Sequence, residues 1–149
     1  MRYIASPRND FAPAALPLMT AVTLPAWTAW TTLAVLSMYF WLLYKVGRAR
    51  SEFGIKAPLT DGPPAFLSVL RVHANTVEQL VMFLPALWLC AVFAGDRMAA
   101  AGGVVWLIGR VLYAVGYYRD PARRGPGFMI AMLATLALML GAASGLVLH

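Results

Sequence analysis

Arg71, Asn75 and Glu78 interrupt an otherwise apolar stretch at spacing i, i+4, i+7. At about 100° per residue they fall within roughly 60° of one another, on one face of a helix. Arg110, Tyr113 and Tyr117 share a face in the same way at i, i+3, i+7, and Arg124 follows. A charged side chain at the centre of a bilayer costs about 2.5–3.5 kcal/mol on insertion scales. Such a stripe is therefore expected to look inward rather than into lipid. Two readings follow: a buried Glu78–Arg110 ion pair that fixes helix packing, or a polar cavity for a charged ligand. The cations (Arg71, Arg110, Arg124, with Arg50 nearby) outnumber Glu78, the one carboxylate of the set. Excess buried positive charge calls for an anion from outside, which favours a ligand bearing carboxylates.

The elements that would position these groups are membrane spans. The chain has 149 residues, 61% hydrophobic and only 12% charged, with a mean hydropathy of +0.71. Soluble domains carry about 25% charged residues, and a soluble domain of this length could not hide so much apolar surface. A disordered chain, a disulfide scaffold and a nucleic-acid-binding domain are excluded. The net charge of +6 comes from residues clustered at the ends of apolar runs, the pattern of membrane anchoring. The single cysteine, Cys90, cannot form an intrachain disulfide, and no Cys/His cluster suggests a metal.

No charged residue lies between Asp10 and Lys45, between Glu78 and Asp96, or from Gly125 to His149. With about 20 apolar residues needed per crossing, four spans are predicted: Leu16 to Val46, Pro63 to Phe93, Met98 to Tyr118, and Pro126 to Leu148. The expected architecture is all-α, a single integral-membrane domain built as an antiparallel up-down four-helix bundle. Gly47 to Gly62 forms the long connection, Ala94 to Arg97 a tight turn, and Arg119 to Gly125 a short basic one. Pro63, Pro64 and Pro126 open helices; Pro25 and Pro85 fall inside spans and should kink them. Lys45, Arg48, Arg50, Lys56, Arg119, Arg123 and Arg124 gather at one end, against Arg2, Arg8 and Arg97 at the other. The positive-inside rule places the first end in the cytoplasm and both termini on the far side.

The run Arg50-Ser51-Glu52-Phe53-Gly54-Ile55-Lys56-Ala57-Pro58-Leu59-Thr60-Asp61-Gly62-Pro63-Pro64-Ala65-Phe66, followed by Arg71-x3-Asn75-x2-Glu78, is informative as a set. So is Tyr113-x2-Gly116-Tyr117 with Arg124 seven residues on. Together they resemble the membrane-associated proteins in eicosanoid and glutathione metabolism (the MAPEG family), nearest its leukotriene C synthase and microsomal glutathione transferase branches, over about residues 16 to 148. The resemblance implies a homotrimer with glutathione held between subunits near the cytoplasmic face. Carried over residue by residue, Arg71, Asn75, Glu78, Tyr113 and Tyr117 would bind glutathione, with Arg110 beside them. Arg50 and His73 would reach it from the adjacent subunit, and Arg124 would activate the thiol.

The residue types suit that chemistry. Guanidinium groups bind carboxylates bidentately, Glu78 can receive the ammonium, and a guanidinium beside sulfur favours the nucleophilic thiolate. The second substrate would be a lipophilic electrophile drawn from the bilayer, in a detoxifying conjugation, with glutathione peroxidase activity open as a second reaction. Ser51 stands where the leukotriene synthase branch carries a further arginine, which argues against leukotriene synthesis. Tyr113 replaces the histidine of the isomerase branch. The family's non-enzymatic branch lacks the arginine and glutamate that this chain keeps as Arg71 and Glu78. Two alternatives stay open: a non-catalytic lipid-binding membrane protein on the same scaffold, and a helical channel or transporter component. Off the stripe by 200°, His73 reads as a helix-contact residue unless a neighbouring subunit uses it. Only Lys45 and Lys56 among twelve basic residues are lysine, a composition that suggests a GC-rich bacterium and a bacterial inner membrane.

Overall fold

A computed structural model describes residues 24–148. Four long helices account for most of them: α1 (Ala26–Phe53), α2 (Pro64–Phe93), α3 (Asp96–Arg119) and α4 (Gly125–Leu148). A single 3₁₀ turn, Pro121–Arg124, joins α3 to α4. Every helix is long and apolar enough to cross a bilayer, so the chain is a multi-pass membrane protein. The helices alternate in direction. α2 and α3 pack on each other, and α1 and α4 each pack against both.

The helix ends explain where the chain turns. α1 stops at Gly54, which adopts a left-handed conformation (φ 66°) and donates its amide to the carbonyls of Arg50 and Ser51. Glycine meets that geometry without a Cβ penalty. The span predicted to end at Val46 therefore continues to Phe53, because Gly47 sits within the helix with open space around it. The long connection is correspondingly shorter than predicted. Pro25 stands immediately before α1 rather than within it, so it kinks nothing. The predicted start at Leu16, with Arg2 and Arg8, lies outside the described residues. Pro63 and Pro64 do open α2, and Pro85 lies inside it. The start of α1 is tied to α3: the Asp96 carboxylate accepts from the amides of Trp27 (3.0 Å) and Thr28 (2.7 Å). Those amides are helix-terminal donors without a partner in their own helix.

Small residues set the helix spacing. A Cβ on Gly127 in α4 would overlap the backbone of Tyr113 in α3, and one on Gly109 would lie 2.7 Å from the Ala131 amide nitrogen. Such close backbone approach is the usual means of tight packing between membrane helices. At the bundle centre Phe83 of α2 stacks on Trp106 of α3, with ring centroids 3.9 Å apart and planes 10° apart. The buried core continues through Val35, Leu42, Leu87, Cys90 and Leu138.

Candidate functional site

Because α2 and α3 run antiparallel, the start of α2 and the end of α3 meet at the basic end of the bundle, where α4 also begins. Arg71, Asn75, Tyr113, Tyr117, Arg124, Gly125 and Phe128 line a cleft there of about 540 Å³. Five of the nine residues singled out from sequence thus come together from α2, α3 and the 3₁₀ turn, and α4 adds Gly125 and Phe128. The Asn75 amide donates to the Tyr113 hydroxyl at 2.6 Å. Tyr113 meets Tyr117 edge-on, with centroids 5.6 Å apart. The Arg124 guanidinium lies 5.5 Å from the centre of the Tyr117 ring, at a distance where a cation and an aromatic face attract. The Gly127 contact explains why Tyr113 can sit hard against the start of α4.

The other predicted residues fall elsewhere. Arg110 is buried, 1% exposed, behind the cleft wall rather than in it. Its Nη2 donates to the Thr76 hydroxyl, and its guanidinium covers the Tyr113 ring at 4.1 Å. Its Nε and Nη1 find no partner among the described residues, nor do the Gln79 amide or the Trp106 Nε1. Arg50 folds onto the loop after α1, with Nη1 2.9 Å from the Leu59 carbonyl oxygen. His73 faces α1, its Nε2 2.9 Å from the Tyr39 hydroxyl and its ring stacked on Tyr39, as expected of a helix-contact histidine.

Two expectations are corrected. Arg71 and Glu78 are exposed on the single chain while Val72, Thr76 and Gln79 are buried, so the two charged ends of the stripe look out of the bundle, and half-buried Asn75 sits at its edge against Tyr113. The helix turns its Val72–Thr76–Gln79 side to α3 because Thr76 and the aliphatic residues of that side supply the interior contacts. A Glu78–Arg110 ion pair is also absent: among the described residues the one ion pair is Arg123–Asp120, 3.8 Å apart at the surface. Arg110 points to the inner side of α2, and Glu78 projects from the outer one.

Sequence reasoning missed Thr76 and Phe128. The signal for Thr76 was present, since Thr76 and Gln79 form a second polar pair on α2 away from the Arg71 stripe. Phe128 carried no signal, being one apolar residue in an apolar helix; only the α3–α4 approach brings it within 6.4 Å of the Tyr113 ring. No group of His, Cys, Asp and Glu among the described residues could hold a metal ion.

Comparison with known proteins bears on this arrangement. Residues 25–144 match the model of the MAPEG family. An uncharacterised protein of the cyanobacterium Synechocystis is 45% identical over 116 residues, covering 78% of this chain and 85% of its own. The leukotriene C4 synthase of Rattus norvegicus is 34% identical over 119 residues, 80% of this chain and 79% of that one. The microsomal glutathione S-transferase 2 of Homo sapiens is 33% identical over 99 residues, 66% and 67% of the two chains.

Proposed function

The chain belongs to the MAPEG family, and on that premise we propose that it is a membrane-bound glutathione transferase acting on lipophilic electrophiles. The observation that carries this reading is the convergence of Arg71, Asn75, Tyr113, Tyr117 and Arg124 on one cleft at the basic end of the bundle. Relatives named as a glutathione transferase and a leukotriene C4 synthase support it.

In this reading Arg71 takes a glutathione carboxylate, Asn75 and the two tyrosine hydroxyls add hydrogen bonds, and Glu78 receives the ammonium. Arg124 stands by the sulfur. An ordinary thiol, with pKa about 8.5, is mostly protonated at neutral pH, and a neighbouring guanidinium favours the thiolate. The sulfur lone pair then forms a bond to the electrophilic carbon while the leaving group departs with its bonding electrons. Arg110, behind Tyr113, adds positive potential without touching the ligand.

The outward-facing Arg71 and Glu78 support self-association, and the family resemblance makes that assembly a homotrimer. Arg71 and Glu78 exposed at membrane depth are costly against lipid, and a second copy seated on this face removes that cost. Arg50 and His73 sit outside the cleft of their own chain, and in this reading, as the resemblance implies, they serve the cleft of a neighbouring copy. The basic end is assigned to the cytoplasm, both termini to the opposite side, and the protein to a bacterial inner membrane. The cyanobacterial relative is in keeping with a bacterial membrane.

The test uses the purified chain in detergent. Reduced glutathione should raise its melting temperature, and 1-chloro-2,4-dinitrobenzene should be conjugated with loss of chloride. Stabilisation without turnover would favour the non-catalytic lipid-binding reading; no stabilisation at all would remove the proposal.

A further inference from the structure

A second crevice opens at the same end of the bundle, between α1, α2 and α3, with a volume of about 300 Å³. Lys45, Arg48 and Glu52 of α1, Ala65 and Val69 of α2, and Tyr118 of α3 line it. It shares no residue with the cleft around Arg124. On the helical wheel of α2, at about 100° per residue, Val69 lies about 160° from Arg71 and about 120° from Asn75, and Ala65 about 120° and about 80° from them. The geometry points to a phosphate-binding site: Lys45 and Arg48 hold the phosphate of a membrane phosphodiester headgroup, and Glu52 accepts a hydrogen bond from that headgroup's ammonium or hydroxyl.

Charge, depth and polarity each argue for it. Neither Lys45 nor Arg48 forms an ion pair among the described residues, whose one such pair is Arg123–Asp120. Two cations against one carboxylate leave a single positive charge, which one phosphodiester neutralises. The Lys45 ammonium stands 5.8 Å from the centres of both the Trp41 and Tyr118 rings, so its stem is directed into the crevice rather than along the membrane surface. The Tyr118 hydroxyl has no hydrogen-bond partner among the described residues. From Ala26 to Lys45 the helix rises about 30 Å, the thickness of the hydrocarbon core. Lys45, Arg48 and Glu52 therefore stand in the headgroup layer, with Val69 on the crevice wall for the apolar part of a lipid. This site is independent of glutathione and of the transferase reading.

The same phosphate chemistry is offered by free phosphate, and the experiment separates the two. The full chain in detergent is studied by native mass spectrometry with phosphatidylglycerol, phosphatidylethanolamine or phosphatidylcholine at equal concentration, and with lipid plus excess inorganic phosphate. One phosphatidylglycerol or phosphatidylethanolamine per chain should be retained at least tenfold better than phosphatidylcholine, whose headgroup has no donor for Glu52. Lys45→Gln/Arg48→Gln should lose that retention tenfold or more, while Arg97→Gln, a cation removed from the opposite end, keeps it. Charge-preserving Lys45→Arg/Arg48→Lys should retain lipid, separating lost charge from lost folding. Equal retention of all three lipids, or wild-type retention by the charge-removing variant, would overturn the proposal. Release of lipid by inorganic phosphate would overturn the headgroup as the source and assign the site to free phosphate. The lipid comparison on unmodified protein decides the matter even if the charge-removing variant does not fold.

Discussion

Asn75 on α2 donates its side-chain amide to the Tyr113 hydroxyl on α3 across 2.6 Å, closing the cleft wall in front of the buried Arg110. The bond fixes Tyr113 by its hydroxyl on one side while Arg110 holds the ring face at 4.1 Å on the other. A side chain held at two points loses little freedom when a ligand arrives, and preorganisation of this kind strengthens binding.

Tyr113→Phe keeps the ring and its contact with Arg110 but removes the acceptor for Asn75. A net hydrogen bond is worth about 0.5–1.5 kcal/mol, so glutathione affinity should fall about three- to tenfold with little change in melting temperature. Calorimetric titration measures the first and a thermal scan the second. An unchanged dissociation constant would show that the Asn75–Tyr113 bond does not organise the cleft.

For Arg124→Ala the expected loss is in turnover, about tenfold or more, with glutathione affinity nearly intact. A tenfold drop corresponds to about 1.4 kcal/mol of transition-state stabilisation. The thiolate absorbance of bound glutathione should fall in parallel. Equal rates for wild type and variant would remove Arg124 from the chemistry.

Glu78→Gln separates binding from folding. Breaking a buried ion pair by removing one partner costs about 3–5 kcal/mol, whereas Glu78 is exposed and unpaired among the described residues. The variant should melt close to wild type and bind glutathione more weakly. A large fall in melting temperature, persisting at dilutions where copies dissociate, would contradict the outward placement of Glu78.

Gly127→Ala places a methyl group into the Tyr113 backbone. Overpacking of this sort costs about 1–3 kcal/mol, and α4 must move away from α3. Both the melting temperature and glutathione affinity should drop, since the displaced segment carries Arg124 and Phe128. Gly47→Ala is the matched control: open space surrounds that position, and alanine favours a helix interior over glycine by about 1 kcal/mol. If Gly127→Ala proved as stable as Gly47→Ala, the tight α3–α4 approach would not hold.

The amino-acid order alone settled the four apolar helices, the turn near Gly95, the cationic end of the bundle and two polar stripes, Arg71–Asn75–Glu78 and Arg110–Tyr113–Tyr117. These are local properties: hydrophobic run length, proline and glycine placement, and angular spacing on a helix need no knowledge of neighbours. The resemblance carried by the motifs added the family, which the match over residues 25–144 bears out. Tertiary structure alone decided which way the polar stripe faces. The cost of a charge in lipid demands that Arg71 and Glu78 be covered, but is indifferent to whether the same bundle or another copy covers them. That depends on which side of α2 finds partners on α1, α3 and α4, and the Val72–Thr76–Gln79 side does. Opposite charges in sequence likewise suggested Glu78 for Arg110, whereas the fold turns Arg110 to Thr76, because helix rotation and not charge alone selects a buried group's neighbour.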